Sequence, residues 1–164
     1  MSVLRKILYS YVFLLSLPLW ASSSFGDEWI LSSDLDDVKV WQLKADPNVT
    51  GSLQKKKPLK KLDWSQVGTE NFFKGFEKNK IKMLSYIGIT EWKAEKYRWK
   101  ELPTGHELKI EGHYVDSSNK KIAFTEVHHY QELKTIQILQ TRPVSTKAKY
   151  VEDFFNYIND QVLK

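Results

Sequence analysis

Between Thr90 and Thr141 apolar and polar residues alternate with a period of two, and β-branched and aromatic side chains crowd the apolar positions. Strands that bury one face are what keep such a pattern. Three turn signals, Pro103-Thr104-Gly105, Asp116-Ser117-Ser118-Asn119 and Gln131-Glu132-Leu133, cut the stretch into four. The expectation is a four-stranded antiparallel meander. Symmetrical closure of its last two hairpins pairs Tyr114 with Ile122, Gly112 with Phe124 and His128 with Ile136, which keeps even-numbered residues on one face. That face holds Leu108, Ile110, Tyr114, Ile122, Phe124, Ile136 and Ile138 and is the expected core. The odd face holds Glu107, Lys109, Glu111, His113, Thr125, His129, Thr135 and Gln137 and is the expected solvent side. The first strand, 90 to 102, begins with Trp92 and Ala94 on one face and ends with Tyr97 and Trp99 on the other, which predicts a bulge near Glu95-Lys96.

Helices flank this meander. Asp63-Trp64-Ser65-Gln66 has the form of a capping box, and Phe72, Phe73, Phe76, Met83, Leu84 and Ile87 recur near helical spacing. Gly75 and Asn79-Lys80 interrupt the stripe, so a bent helix and two consecutive helices both fit. Gly88 is placed to end it in a left-handed cap with Ile89 folding back. After Arg142-Pro143, with Ser145 or Thr146 as cap, Val151, Phe154, Phe155, Ile158 and Val162 fall at i, i+3, i+4, i+7 and i+11. Burying each such side chain stabilises by roughly 1.5–3 kcal/mol, so this helix is expected across the even face of the sheet. Residues 27 to 43 read as one or two short strands. Residues 45–62 read as an exposed loop, because Asp46-Pro47-Asn48 marks a turn and five lysines fall between Lys55 and Lys61. The fold expected is a single α+β domain: an antiparallel meander, short N-terminal strands, a central helix or helical pair, and a C-terminal helix on one sheet face. The order of elements resembles helix-on-sheet binding folds of the helix-grip or photosystem-assembly type, at the level of topology only, which implies no function.

The N-terminus points to export. Arg5 and Lys6 precede an apolar run from Ile7 to Leu19, broken only by Ser10, Ser16 and Pro18, that empties into Ala21-Ser22-Ser23-Ser24. This is the pattern of a signal peptide, residues 1–23, cleaved after Ser23; an N-terminal anchor that stays in place is the alternative. A spanning helix needs about 20 apolar residues. Cleavage leaves a domain of residues 24–164 with a net charge of +3, since the two N-terminal cations leave with the segment. The compartment expected is periplasmic or extracellular, with no membrane span after cleavage. The chain contains no cysteine. That excludes a cysteine-anchored lipoprotein, a thiol nucleophile and any cysteine zinc site.

Chemistry has few places to reside. With the pairing above, Glu126 and His128 point to the core side of the sheet, two residues apart on one strand, with Ile110 and Ile138 flanking Glu126. A carboxylate and an imidazole in opposed environments are the material of acid/base pairs. The simpler reading is a satisfied polar pair at the rim. His128, His129, His113 and Glu111 invite a metal, but His128 and His129 face opposite sides, so no metal site is expected. Glu107 opposite His129 reads as a cross-strand pair. No G-x-S-x-G elbow, G-x-G-x-x-G or P-loop string occurs, and no cofactor is expected. Lys55, Lys56, Lys57, Lys60 and Lys61 form a candidate anion patch, against the simpler reading of a solvated loop. Aromatics are not interleaved with them, so nucleic acid is not an expected partner. Trp92 and Trp99, taken to face opposite ways, together with Tyr97 and Tyr114, are the candidate ligand-binding residues.

The function expected is an exported, non-enzymatic module that binds a small apolar or glycan ligand or an envelope protein. The alternatives are a small acid/base enzyme using Glu126 and His128, and a purely structural envelope protein.

Overall fold

A computed structural model describes residues 24–25, 28–57, 63 and 65–161. Residues 1–23, where a signal peptide is expected, and Lys60, Lys61, Trp64 and Val162 lie outside the described residues. The fold is α+β, with one antiparallel sheet and two described helices. The strands are β1 (Ser24–Phe25), β2 (Trp29–Leu35), β3 (Val38–Leu43), β4 (Asp46–Lys56), β5 (Thr90–Leu102), β6 (Gly105–Val115), β7 (Lys121–Tyr130) and β8 (Thr135–Pro143). Helix α1 (Glu70–Ser85) follows β4, and helix α2 (Lys149–Gln161) follows β8. The sheet order is β1-β2-β3-β4-β8-β7-β6-β5. Two meanders are therefore joined at a β4–β8 seam, and the sheet holds more strands than the alternation alone revealed.

Part of the stretch read as a loop is a long strand. In β4, Val49, Gly51 and Leu53 turn to one face while Thr50, Ser52, Gln54 and Lys56 turn to the other, where Thr50 lies opposite Thr141 and Gln54 opposite Gln137. Alternation was present in the residues, but its inward polar positions are Thr, Ser and Gln, which read as surface until a partner strand covers them.

The β6–β7 register is the expected one, with Tyr114 opposite Ile122 and Gly112 opposite Phe124. The β7–β8 register is not. Tyr130 pairs with Thr135 and His128 with Gln137, because the turn spans Gln131 to Lys134 and closes with Gln131 N–H donating to Lys134 O at 2.9 Å. A shift of one residue turns a whole strand over. Gln137, Leu139 and Thr141 thus share a face with Glu126, while Ile136 and Ile138 look the other way.

The sheet consequently has two cores. On one face α1 covers Leu108, Ile110, Tyr114, Phe124, Tyr130 and Leu139. On the other, α2 covers Trp41, Leu43, Val49, Leu53, Val127, Ile136 and Ile138. The expected placement of the C-terminal helix on the even face is therefore corrected: it lies on the opposite face, where Ile136 and Ile138 point. Phe154 and Ile158 are fully buried there, as their spacing required. Gly51 makes that approach possible, since a Cβ on it would stand 2.2 Å from Phe154 Cζ.

Helix α1 is continuous through Gly75 and Asn79. It starts later than Asp63: Thr69 is the N-cap, its hydroxyl accepting from Phe72 N–H at 3.2 Å, while Asp63 closes a local turn by accepting from Ser65 N–H. It ends as expected, with Gly88 at φ +75° and Ile89 N–H donating to Leu84 O. Helix α2 starts at Lys149, beyond Ser145 and Thr146.

Candidate functional site

The site is assembled from four elements. Alternation on β7 turns Glu126 and His128 toward α1. Lys80 enters from α1, on the same helical stripe as Phe73, Phe76 and Leu84. Gln137 comes from β8, and Lys56 from the end of β4. Glu126 Oε1 accepts from Lys80 Nζ at 2.6 Å, from His128 Nε2 at 2.8 Å and from Gln137 Nε2 at 2.5 Å. Lys56 Nζ donates to Gln137 Oε1. Glu126 is 0% exposed and Lys80 5%. Lys56 is half-buried.

Burial alone would push the Glu126 carboxyl up. The Lys80 ammonium and the His128 ring reverse this and hold it well below the usual carboxylate range. Burial pushes His128 down, against the upward pull of Glu126 and with help from Lys80 and Lys56. The pair is thus a carboxylate and a neutral imidazole. An ionised carboxylate only accepts, so the ring proton sits on Nε2. Burial and the neighbouring Lys80 bring Lys56 down to about 8, with Glu126 opposing.

A row of rings leads away from this cluster. Phe76 meets His128 edge-on at 5.4 Å, His128 stacks on Tyr130 at 5.6 Å, and Tyr130 lies 6.2 Å from Trp99. Trp99 in turn contacts Phe72, and Phe73 packs on Tyr97 at 4.8 Å. Phe72, Phe73, Phe76, Tyr97 and Trp99 are all half-buried along the α1–β5 seam. The Tyr97 hydroxyl is buried with no hydrogen-bond partner, and burial, with Glu77 nearby, pushes it up to about 12.

Several expected site residues sit elsewhere than expected. Trp92 and Trp99 do not face opposite ways. The bulge predicted near Glu95-Lys96 is present, as a register shift between Ala94 and Lys96. Its extra residue brings Tyr97 and Trp99 round to the face already occupied by Trp92 and Ala94. Trp92 is core, stacked on Phe124 at 5.3 Å, and Tyr114 is core beside the same ring. Within the lysine group, Lys55 and Lys57 are exposed whereas Lys56 turns inward, so the group is not one patch. His113 and His129 pair with Glu95 and Glu107, on the face away from His128. Among the described residues no group of three or more His, Asp or Glu is arranged to hold a metal ion, and no helix is long and apolar enough to cross a membrane. Lys80 and Gln137 were not singled out in the sequence. A lysine on the apolar stripe of a helix was the available signal for the first; the second depended on the β7–β8 register.

No family model matches this chain, and no curated protein matches it. Its fold is similar to that of PA94 from Pseudomonas aeruginosa, a protein of unknown function described as a candidate regulator. That crystal structure aligns with a TM-score of 0.52 over 81% of this chain and 86% of that one, at 7% identity. At this identity the likeness concerns the fold alone.

Proposed function

We propose that this protein is an exported, non-enzymatic binding module whose ligand lies along the α1–β5 seam. One observation carries the reading: Phe72, Phe73, Phe76, Tyr97 and Trp99 are left half-buried in a continuous row, although the same face has a fully buried core beneath them. Contiguous apolar surface with a few polar groups at one end is the usual form of a small-molecule site. Beneath this row the Tyr97 hydroxyl is buried without a hydrogen-bond partner.

The acid/base alternative is less well served. A general acid must exchange its proton near the working pH, whereas Glu126 already accepts from three donors and is held ionised. A charge so engaged positions its neighbours.

Tryptophan fluorescence of the full chain and of Trp99→Phe, titrated with apolar small molecules and soluble glycans, tests the binding reading. A saturable change in the parent that Trp99→Phe loses supports it; a flat response across both sets overturns it. Export is tested by cell fractionation and the mass of the recovered chain. A chain outside the cytoplasm that begins at Ser24 supports cleavage after Ser23, and one that keeps Met1 in the cytoplasm overturns export.

A further inference from the structure

Strand β5 ends the sheet, and among the described residues no strand pairs with its far edge. An edge strand leaves a row of main-chain N–H and C=O groups without partners. Past the bulge, Lys96 to Leu102 run in unbroken register with Glu111 to Gly105, so this stretch of edge is regular. Alternation turns Lys96, Arg98 and Lys100 to the face away from α1, where Lys93 also lies, and all four are exposed. The core under α2 reaches β7 at Val127 and includes no residue of β5 or β6. The acids of this face are already engaged: Glu95 with His113 at 2.8 Å, Glu107 with His129 at 3.7 Å and Glu111 with Lys109 at 2.9 Å. Lys96 and Arg98 act on Glu111 only through space. Among the described residues Lys93, Lys96, Arg98 and Lys100 form no ion pair.

We infer that the β5 edge takes an added strand from an acidic partner protein, an extended segment whose carboxylates, at alternate positions, lie beside Lys96, Arg98 and Lys100. Alternate residues of a strand stand about 7 Å apart, and an added strand keeps the same pitch, so each carboxylate meets one cation across the new pair. Main-chain hydrogen bonds along the edge supply affinity, and the charge row supplies selection. A second copy of β5 is disfavoured, because antiparallel pairing centred on Arg98 sets Lys96 against Lys100 and Arg98 against itself. A linear acidic glycan would meet the cations but leave the edge groups unpaired. The inference goes beyond the seam reading, since it uses the edge of β5 and the face opposite the seam.

The test titrates the full chain with a short labelled peptide alternating glutamate with valine, with its isomer that groups the glutamates at one end, and with an oligouronate. Fluorescence anisotropy reads affinity, and amide hydrogen exchange by ¹H–¹⁵N NMR reads the edge. Matched cross-strand charges predict that the alternating peptide binds roughly tenfold tighter than its isomer. Alternate amides between Lys96 and Leu102 should gain exchange protection when it binds. The exposed double change Lys96→Glu with Lys100→Glu should lose this peptide and take one that alternates lysine with valine. Equal binding of the two isomers by the parent, or binding without new protection along β5, overturns strand addition. Tighter binding of the oligouronate than of the alternating peptide overturns the protein partner. Failure of both peptides to bind leaves the cations as a guard against edge pairing and overturns the inference.

Discussion

Lys80 Nζ stands 2.6 Å from Glu126 Oε1, an ion pair between helix and sheet with both side chains buried. A pair in this position contributes little net stability compared with apolar residues, but losing one partner strands the other charge. Glu126→Leu alone, or Lys80→Met alone, should destabilise the fold by about 3–5 kcal/mol in urea unfolding. The double change Lys80→Met with Glu126→Leu should cost clearly less than the two single losses added together. Strict additivity would mean that the two charges do not depend on each other.

The same contacts set a pH dependence. Glu126 has its pKa lowered on folding, so the unfolded chain binds the proton more readily. Its contribution is present above the ordinary carboxylate pKa of about 4.3 and is lost as the pH falls below it. His128 is lowered as well, so stability also declines as the pH falls through the unfolded imidazole value near 6.5. Urea midpoints from pH 7 to pH 3 should fall more steeply for the parent than for His128→Gln and Glu126→Gln. Parallel profiles would contradict both assignments.

Lys56 carries the opposite consequence for design. Its pKa falls to about 8 on folding, so holding it charged at neutral pH opposes folding, and the penalty lifts as the pH rises past 8. Lys56→Met should therefore raise stability at pH 7 by about 1–2 kcal/mol, less than the shift implies because the side chain keeps contact with water. The gain should shrink as the pH rises above 8 and vanish only above the ordinary lysine value of about 10.4. A loss of stability at pH 7 would contradict the reading.

Gly51 is the contact point of the second core. A methyl group there would fall within the Phe154 ring, which is fully buried. Gly51→Ala should cost about 1–3 kcal/mol in denaturant unfolding, and Phe154→Leu in the same chain should recover part of it. No loss in Gly51→Ala would show that α2 does not pack as described.

What the residues disclosed depended on how local the deciding interaction was. The β6–β7 register, the Gly88 cap and the buried stripe Val151, Phe154 and Ile158 follow from short-range pattern and were legible. The β7–β8 register hung on one residue in a turn, and that residue decided which face α2 covers and whether Gln137 meets Glu126. The bulge near Glu95 was legible, but its effect on Trp99 was reversed, because the inserted residue restores a shared face rather than preserving a split one. Glu126 and His128 were visible as a polar pair on an apolar strand face. Lys80 was read as an interruption of the helical stripe, so its inward position was missed. Pairing them requires knowing that α1 lies over β7, and no local signal carries that. Lys56 joins them only through the β4–β8 seam, which unites segments some 80 positions apart.

Whether Glu126 is a fixed anion or a proton-exchanging acid is read most directly from the ring nitrogens of His128, by ¹H–¹⁵N correlation NMR on the full chain across pH 4 to 8, assigned with His128→Gln. A fixed anion held between Lys80 and Gln137 predicts a neutral ring protonated on Nε2 that titrates only well below the ordinary histidine value. A ring that gains its proton near that value, or carries it on Nδ1, would contradict the account.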